Sequence, residues 1–184
     1  LTITNGNVLG SSGGGINNAG TLTLTNATIS GNTATNGGGI FNAGTVTITN
    51  STISGNTVSS GVLAGSGGGI HNFGGTVTII NSTISGNSAN GPGGNSDSAG
   101  GIFTNVGTVT ITDSTVSGNS GDLGGGIRNP NGGIVTSKNT IIALNTSASG
   151  PDVNGPLTSQ GFNLVGNSSG ATITPAQVSD QLGT

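Results

Sequence analysis

The chain has no cysteine, methionine, tryptophan or tyrosine, and four phenylalanines are the only aromatic residues besides one histidine in its 184 residues. Without cysteine there is neither a disulfide framework nor a thiolate metal site. Charge is almost as scarce: Arg128 and Lys138 are the only strong cations, and five aspartates supply all the carboxylates, for a net charge of −3. Two cations cannot form a basic patch, so no nucleic-acid partner and no polybasic contact with a membrane are expected. No apolar run approaches transmembrane length, so no membrane insertion of this segment is expected either.

What is abundant is glycine, 39 residues of it. There is no Gly-X-Y period, which excludes collagen. Disorder would need low hydrophobicity or high net charge, whereas Val, Ile and Leu recur here at fixed places. The phrase "GTVTITNSTISGNT" at Gly44–Thr57 returns with small changes at Gly20–Thr33, Gly75–Ser88 and Gly107–Ser120. Preceding each phrase, and once more after the last, is a "GGI" block, whose isoleucines are Ile16, Ile40, Ile70, Ile102 and Ile127, spaced 24, 30, 32 and 25 residues apart. The extra length falls between "GN" and the next "GGI", in segments 58–66 and 89–99.

Within each block apolar and polar residues alternate with period 2, the signature of a strand. One such unit cannot bury its apolar face alone, so the units must stack. The sequence predicts an all-β chain: a right-handed, three-sided parallel β-helix over residues 1–171, followed by a non-repetitive segment, 172–184, that caps it or links it to more chain. About seven coils spaced about 4.8 Å apart make a rod roughly 30–35 Å long. Three asparagine columns are expected at the corners: Asn5, Asn26, Asn50, Asn81, Asp113 and Asn139; Asn18, Asn42, Asn72, Asn105 and Asn129; and Asn32, Asn56, Asn87, Asn119 and Asn145. An amide both donates and accepts, so identical side chains can bond along a column. Asparagine also tolerates the left-handed backbone of a sharp corner.

The "GGGIFN" and "TVTITNSTISGNT" units resemble right-handed parallel β-helix repeats of secreted bacterial proteins, and are similar to the repeats of chlamydial polymorphic outer-membrane adhesins. The stretch "NTIIALNTSASGPDVNGPLTSQGFNLVGNSSG" resembles the closing coils of bacterial choice-of-anchor surface proteins. The resemblance implies export to the bacterial cell surface, and a longer parent chain, since such families continue beyond a segment like "DQLGT". Leu1 and Ile3 face inward with no cap before them, so end-to-end self-association or a neighbouring domain is expected to cover them.

Many β-helix proteins cleave acidic polysaccharides with clustered carboxylates and a basic residue. Here no two aspartates are expected to share a face at neighbouring heights, and His71 has no carboxylate or serine partner. No catalytic residue, metal site or cofactor is therefore assigned, and a polysaccharide lyase or hydrolase is the most distant reading. Two surfaces remain. Residues that follow the "GGI" isoleucines give a varied outward strip, Phe41, His71, Phe103 and Arg128, suited to a glycan or a protein. The other surface is a threonine array: Thr23, Thr25, Thr45, Thr47, Thr49, Thr76, Thr78, Thr108, Thr110 and Thr112, with Thr2 and Thr4 continuing it. Ile80 and Lys138 interrupt it. Its spacing resembles the threonine rows of β-solenoid ice-binding proteins. The leading expectation is a non-catalytic extracellular module, structural or adhesive and able to assemble into a filament or stalk, with ice binding as the alternative.

Overall fold

The computed structural model describes residues 1–59, 65–89, 98–130 and 132–184. Among them every regular element is a β-strand, and every strand pairing is parallel. Each strand pairs with the equivalent strand of the next unit, which is the stacking the repeat demands. Three sheets result, of eight, five and ten strands.

The eight-stranded sheet stacks the "TIS" blocks, with Ile29, Ile53, Ile84, Val116, Ile142 and Val165 turned inward in one column. The ten-stranded sheet holds the "GGI" and "TVTIT" blocks together. In Ile70–Ile80 and Ile102–Thr112 the two blocks run on as one 11-residue strand, with a register shift at Asn72/Phe73. The five-stranded sheet comes from Asn7–Ser12 and, in the later coils, from the residues after each "GN": Thr33–Asn36, Thr57–Val58, Ser88–Ala89 and Ser120–Gly121. Blocks and sheets therefore do not correspond one to one. Two blocks share a sheet, and the third sheet is built by short segments leading into the insertions. The insertion residues 60–64 and 90–97 lie outside the described residues.

The interior is a set of aligned aliphatic columns. Ile40, Ile70, Ile102 and Ile127 stack in register and are fully buried. So do Ile48, Ile79 and Ile111, but the same column continues as Ser137 and Ser159. Each fully buried isoleucine contributes about 1.5–3 kcal/mol, so the hydrophobic drive weakens towards the C-terminal coils, where serines take over. Glycine permits the close approach at the "GGG" turns. Gly37 and Gly67 have φ of 60° and 70°, and a Cβ at either would lie 2.4 or 2.3 Å from the Ile40 or Ile70 carbonyl oxygen.

Residues 172–184 do not stand apart from the stack. Ala171–Ile173 pairs with Gly155–Leu157, and Gln181–Leu182 adds the last strand of the eight-stranded sheet beside Leu164–Val165. At the other edge Thr2–Thr4 pairs with Thr28–Ser30, leaving Leu1 exposed and Ile3 half-buried.

Candidate functional site

Side-chain ladders run from coil to coil through this parallel β-helix. The most complete runs through Asn32, Asn56, Asn87, Asn119 and Asn145. Each Nδ2 donates to the next Oδ1 at 2.9–3.0 Å, and each backbone N–H donates to the same oxygen at 3.0 Å. The second amide proton goes back to a carbonyl of the preceding coil, as from Asn87 to Ile53 O at 3.0 Å. All five are buried, and all their amide groups are satisfied, which is what removes the cost of placing polar groups there. Asp152 ends the ladder by accepting from both nitrogens of Asn145.

A second ladder was not anticipated. Ser51, Ser82 and Ser114 each accept a backbone N–H from the preceding coil at 3.0–3.1 Å, and each hydroxyl donates to the carbonyl two residues back. In the next coil Thr140 repeats the hydroxyl bond, donating to Lys138 O, and its N–H donates to Asn163 Oδ1, whose own N–H donates to Asp180. The serine that recurs between corner and strand, at Ser51, Ser82 and Ser114, carries this signal; the first repeat has Ala27 at the same step. Asp180 accepts from Ser159 Oγ, Asn163 and the Gln177 N–H. Desolvation opposes its ionisation, but these hydrogen bonds prevail and hold its pKa below the ordinary 3.8.

The column expected at Asn105 is corrected. Asn18 donates to Asn42 and Asn42 to Asn72, but Thr104 occupies the next place, because the register puts Phe103 beside His71. Asn72 donates to Thr104 Oγ1 at 3.3 Å, and the Thr104 hydroxyl donates to Val106 O. With no amide there to donate onward, the buried Asn129 Oδ1 has no hydrogen-bond partner.

The left-handed corner column is present at Asn26, Asn50, Asn81, Asp113 and Asn139, with φ of 47–52°. Asn5 does not belong to it. Thr4 pairs with Ser30, so Asn5 aligns with Gly31, and its φ of 61° matches that of the glycine corner. The same register moves Thr2 and Thr4 out of the threonine array, since Thr2 pairs with Thr28. The array itself is in register: Thr23, Thr47, Thr78 and Thr110 form its central column, extended by Thr136 and Thr158. Thr25, Thr49 and Thr112 line one flank and Thr45, Thr76 and Thr108 the other, with Ile80 between Thr49 and Thr112 and Lys138 beyond Thr112. Thr23, Thr25, Thr45 and Thr76 are exposed; Thr47, Thr49, Thr78, Thr108, Thr110 and Thr112 are half-buried.

Phe41, His71, Phe103 and Arg128 are brought together as one column, as the spacing required. The expectation that they form an open strip is corrected. His71, Phe103 and Arg128 are 7%, 4% and 9% exposed, and Phe41 is half-buried. His71 lies edge-on to Phe41 at 5.2 Å and to Phe103 at 5.1 Å, and Phe73, which the repeat pattern did not single out, stacks on Phe41 at 5.8 Å. Aromatic rings pack well in such edge-on pairs. Burial pushes the His71 pKa down from 6.5 to about 4, and its Nδ1 has no partner. Arg128 donates to Asn154 Oδ1. These residues form a packed aromatic layer, not an accessible ligand surface.

Comparison with family models, curated proteins and solved structures returns no match for this chain. The likeness to chlamydial adhesin repeats and choice-of-anchor proteins therefore rests on the repeated phrases alone.

Proposed function

We propose that the chain is a non-catalytic, stiff module of an exported bacterial surface protein, a stalk or adhesin-like segment wound as a right-handed, three-sided parallel β-helix. The observation that supports this most is the buried ladder from Asn32 to Asp152, which ties five successive coils together along the axis. Such bonds resist separation of coils and add nothing to a reactive centre. Three of the five aspartates serve the same end: Asp152 and Asp180 close ladders, and Asp113 accepts from Asn139. Around Leu1 and Ile3, further coils of the same polypeptide or a second copy would extend the sheets, and either arrangement keeps the rod a spacer. Single-molecule pulling between the termini tests the reading. Stepwise, coil-by-coil resistance is expected, and extension without resistance would rule out a load-bearing stalk. Electron microscopy over a concentration series reports whether copies join end to end.

A second reading, ice binding, is favoured by the registered threonine column from Thr23 to Thr158. Threonine is also a favoured exposed strand residue whose cross-strand pairs stabilise a sheet, and Ile80 and Lys138 break the plane. Ice shaping by the pure protein that disappears in Thr47→Tyr and Thr78→Tyr would establish it; its absence in the unmodified protein would remove it.

A further inference from the structure

The asparagine corner ends on an aromatic residue. The Asn139 N–H donates to Gly161 O at 3.0 Å, which aligns Phe162 with Asn139, and Phe162 keeps the left-handed backbone with φ of 61°. Asparagine accepts that conformation readily, whereas a bulky side chain does so only when its surroundings impose it. The imposing contacts come from the C-terminal segment. The Phe162 N–H donates to Ser179 Oγ at 3.0 Å, and the adjacent Asn163 N–H donates to Asp180. Yet the ring is not used for packing, because Phe162 is 67% exposed. The strained backbone presents the ring to solvent.

That ring lines an open groove of about 600 Å³. Ile141 and Leu164, 47% and 37% exposed, add to its apolar lining; Asn81, Asp113 and Asn139 supply polar groups. The corner amides bond in pairs: Asn81 Nδ2 donates to Asn50, and Asn139 Nδ2 donates to Asp113, each at 2.7 Å. Between the pairs, Asp113 replaces the asparagine that would have donated to Asn81. A carboxylate has no proton to give. Asn81 Oδ1 and the second carboxylate oxygen of Asp113 are thus left as two acceptors one coil apart, on residues that line the groove.

A ligand for this surface must donate hydrogen bonds near Asp113 and offer an apolar face near Phe162, two coils away, about 10 Å at strand spacing. A single ammonium ion cannot span that distance. A sugar chain does: its hydroxyls donate to carboxylate and amide oxygens, and its C–H faces stack on aromatic rings. Neither Lys138 nor Arg128 lines the groove, so nothing there would select an acidic glycan. We propose that the groove from Asn81 to Phe162 binds a neutral oligosaccharide, with one ring on Phe162 and hydroxyl protons directed to Asp113 and Asn81. The proposal rests on the adhesive-module reading and gives it a ligand class.

The test is retention of the full chain on insoluble cellulose, chitin, β-1,3-glucan and mannan, with titration of the matching soluble oligosaccharides. Phe162→Asn installs the residue that the neighbouring coils carry at this corner, so its melting temperature should equal or exceed that of the unmodified chain while affinity falls tenfold or more. Asp113→Asn should weaken binding several-fold and preserve the fold. Retention on none of the four polysaccharides overturns the proposal, as does equal retention by Phe162→Asn. A lowered melting temperature in Phe162→Asn also overturns it, by showing the ring to be structural. Loss of retention in Thr47→Tyr but not in Phe162→Asn would assign binding to the threonine face and overturn the groove. The pulling measurement on the same protein judges the stiff module independently of any glycan.

Discussion

Asp152 Oδ1 accepts two hydrogen bonds from Asn145, from the backbone N–H at 3.0 Å and from Nδ2 at 2.8 Å, while its Oδ2 accepts the Asn167 N–H at 2.6 Å. Asp152 is 1% exposed. All three contacts require an acceptor, which is why a carboxylate stands where an amide ends its run. In Asp152→Asn one oxygen becomes an NH2 group that must face a donor. A loss of about 1–3 kcal/mol is expected, read by urea denaturation, with faster amide exchange at Asn145 and Asn167. Unchanged exchange at both positions would show that the cap is dispensable.

Mid-ladder removal should be more damaging. Asn87 Oδ1 accepts both nitrogens of Asn56, and its Nδ2 donates to Ile53 O and Asn119 Oδ1. Asn87→Ala leaves several buried partners without hydrogen bonds, for a loss of about 3 kcal/mol or more. Hydrogen exchange should show the opening centred on the coils of Asn56, Asn87 and Asn119, and a loss spread evenly over the whole chain would contradict the ladder account.

One substitution should stabilise. Thr104→Asn restores an amide between Asn72 and Asn129 and gives the orphaned Asn129 Oδ1 a donor. A gain of about 1 kcal/mol is expected, measured as a higher denaturation midpoint. A decrease would mean that the register shift after Asn72 leaves the new amide out of reach.

Acid should weaken the aromatic layer. The His71 pKa is lowered by burial from 6.5 to about 4, so the unfolded chain binds the proton more readily than the folded one. Stability is therefore full above pH 6.5, falls as pH drops towards 4, and levels off below that, for a total of about 3 kcal/mol. His71→Phe should abolish this dependence. Asp180 acts lower: its depressed pKa contributes stability that is present above 3.8 and lost as pH falls through its folded value. A pH series of melting temperatures separates the two, and a His71→Phe profile identical to the parent's between pH 4 and 6.5 would refute the assignment.

Much of the architecture is legible in the repeat because its causes are local and periodic. Alternation of Val46 and Ile48 with Thr45, Thr47 and Thr49 reads as a strand, and identical phrases can stack only in parallel. The columns from Asn26 to Asn139 and from Asn32 to Asn145 follow from the same arithmetic. Period and register part at two places. Residue type aligns Asn105 with Asn72, but the shift after Asn72 gives its place to Thr104. The letters around Asn5 align it with Asn26, though pairing of Thr4 with Ser30 sends it to the glycine corner.

Sequence alone determined that this chain is a stacked, all-β, nearly uncharged repeat, since alternation, spacing and composition are properties of each unit by itself. Tertiary structure decided which outward residues are open. His71 and Phe103 were expected at the surface and are buried, whereas Phe162, outside the repeat, is exposed in a left-handed backbone imposed by Ser179 and Asp180. The physical reason is that exposure depends on what neighbouring coils and distant segments lay over a residue, and hydrogen bonds spanning 17 residues of chain leave no periodic mark in the sequence.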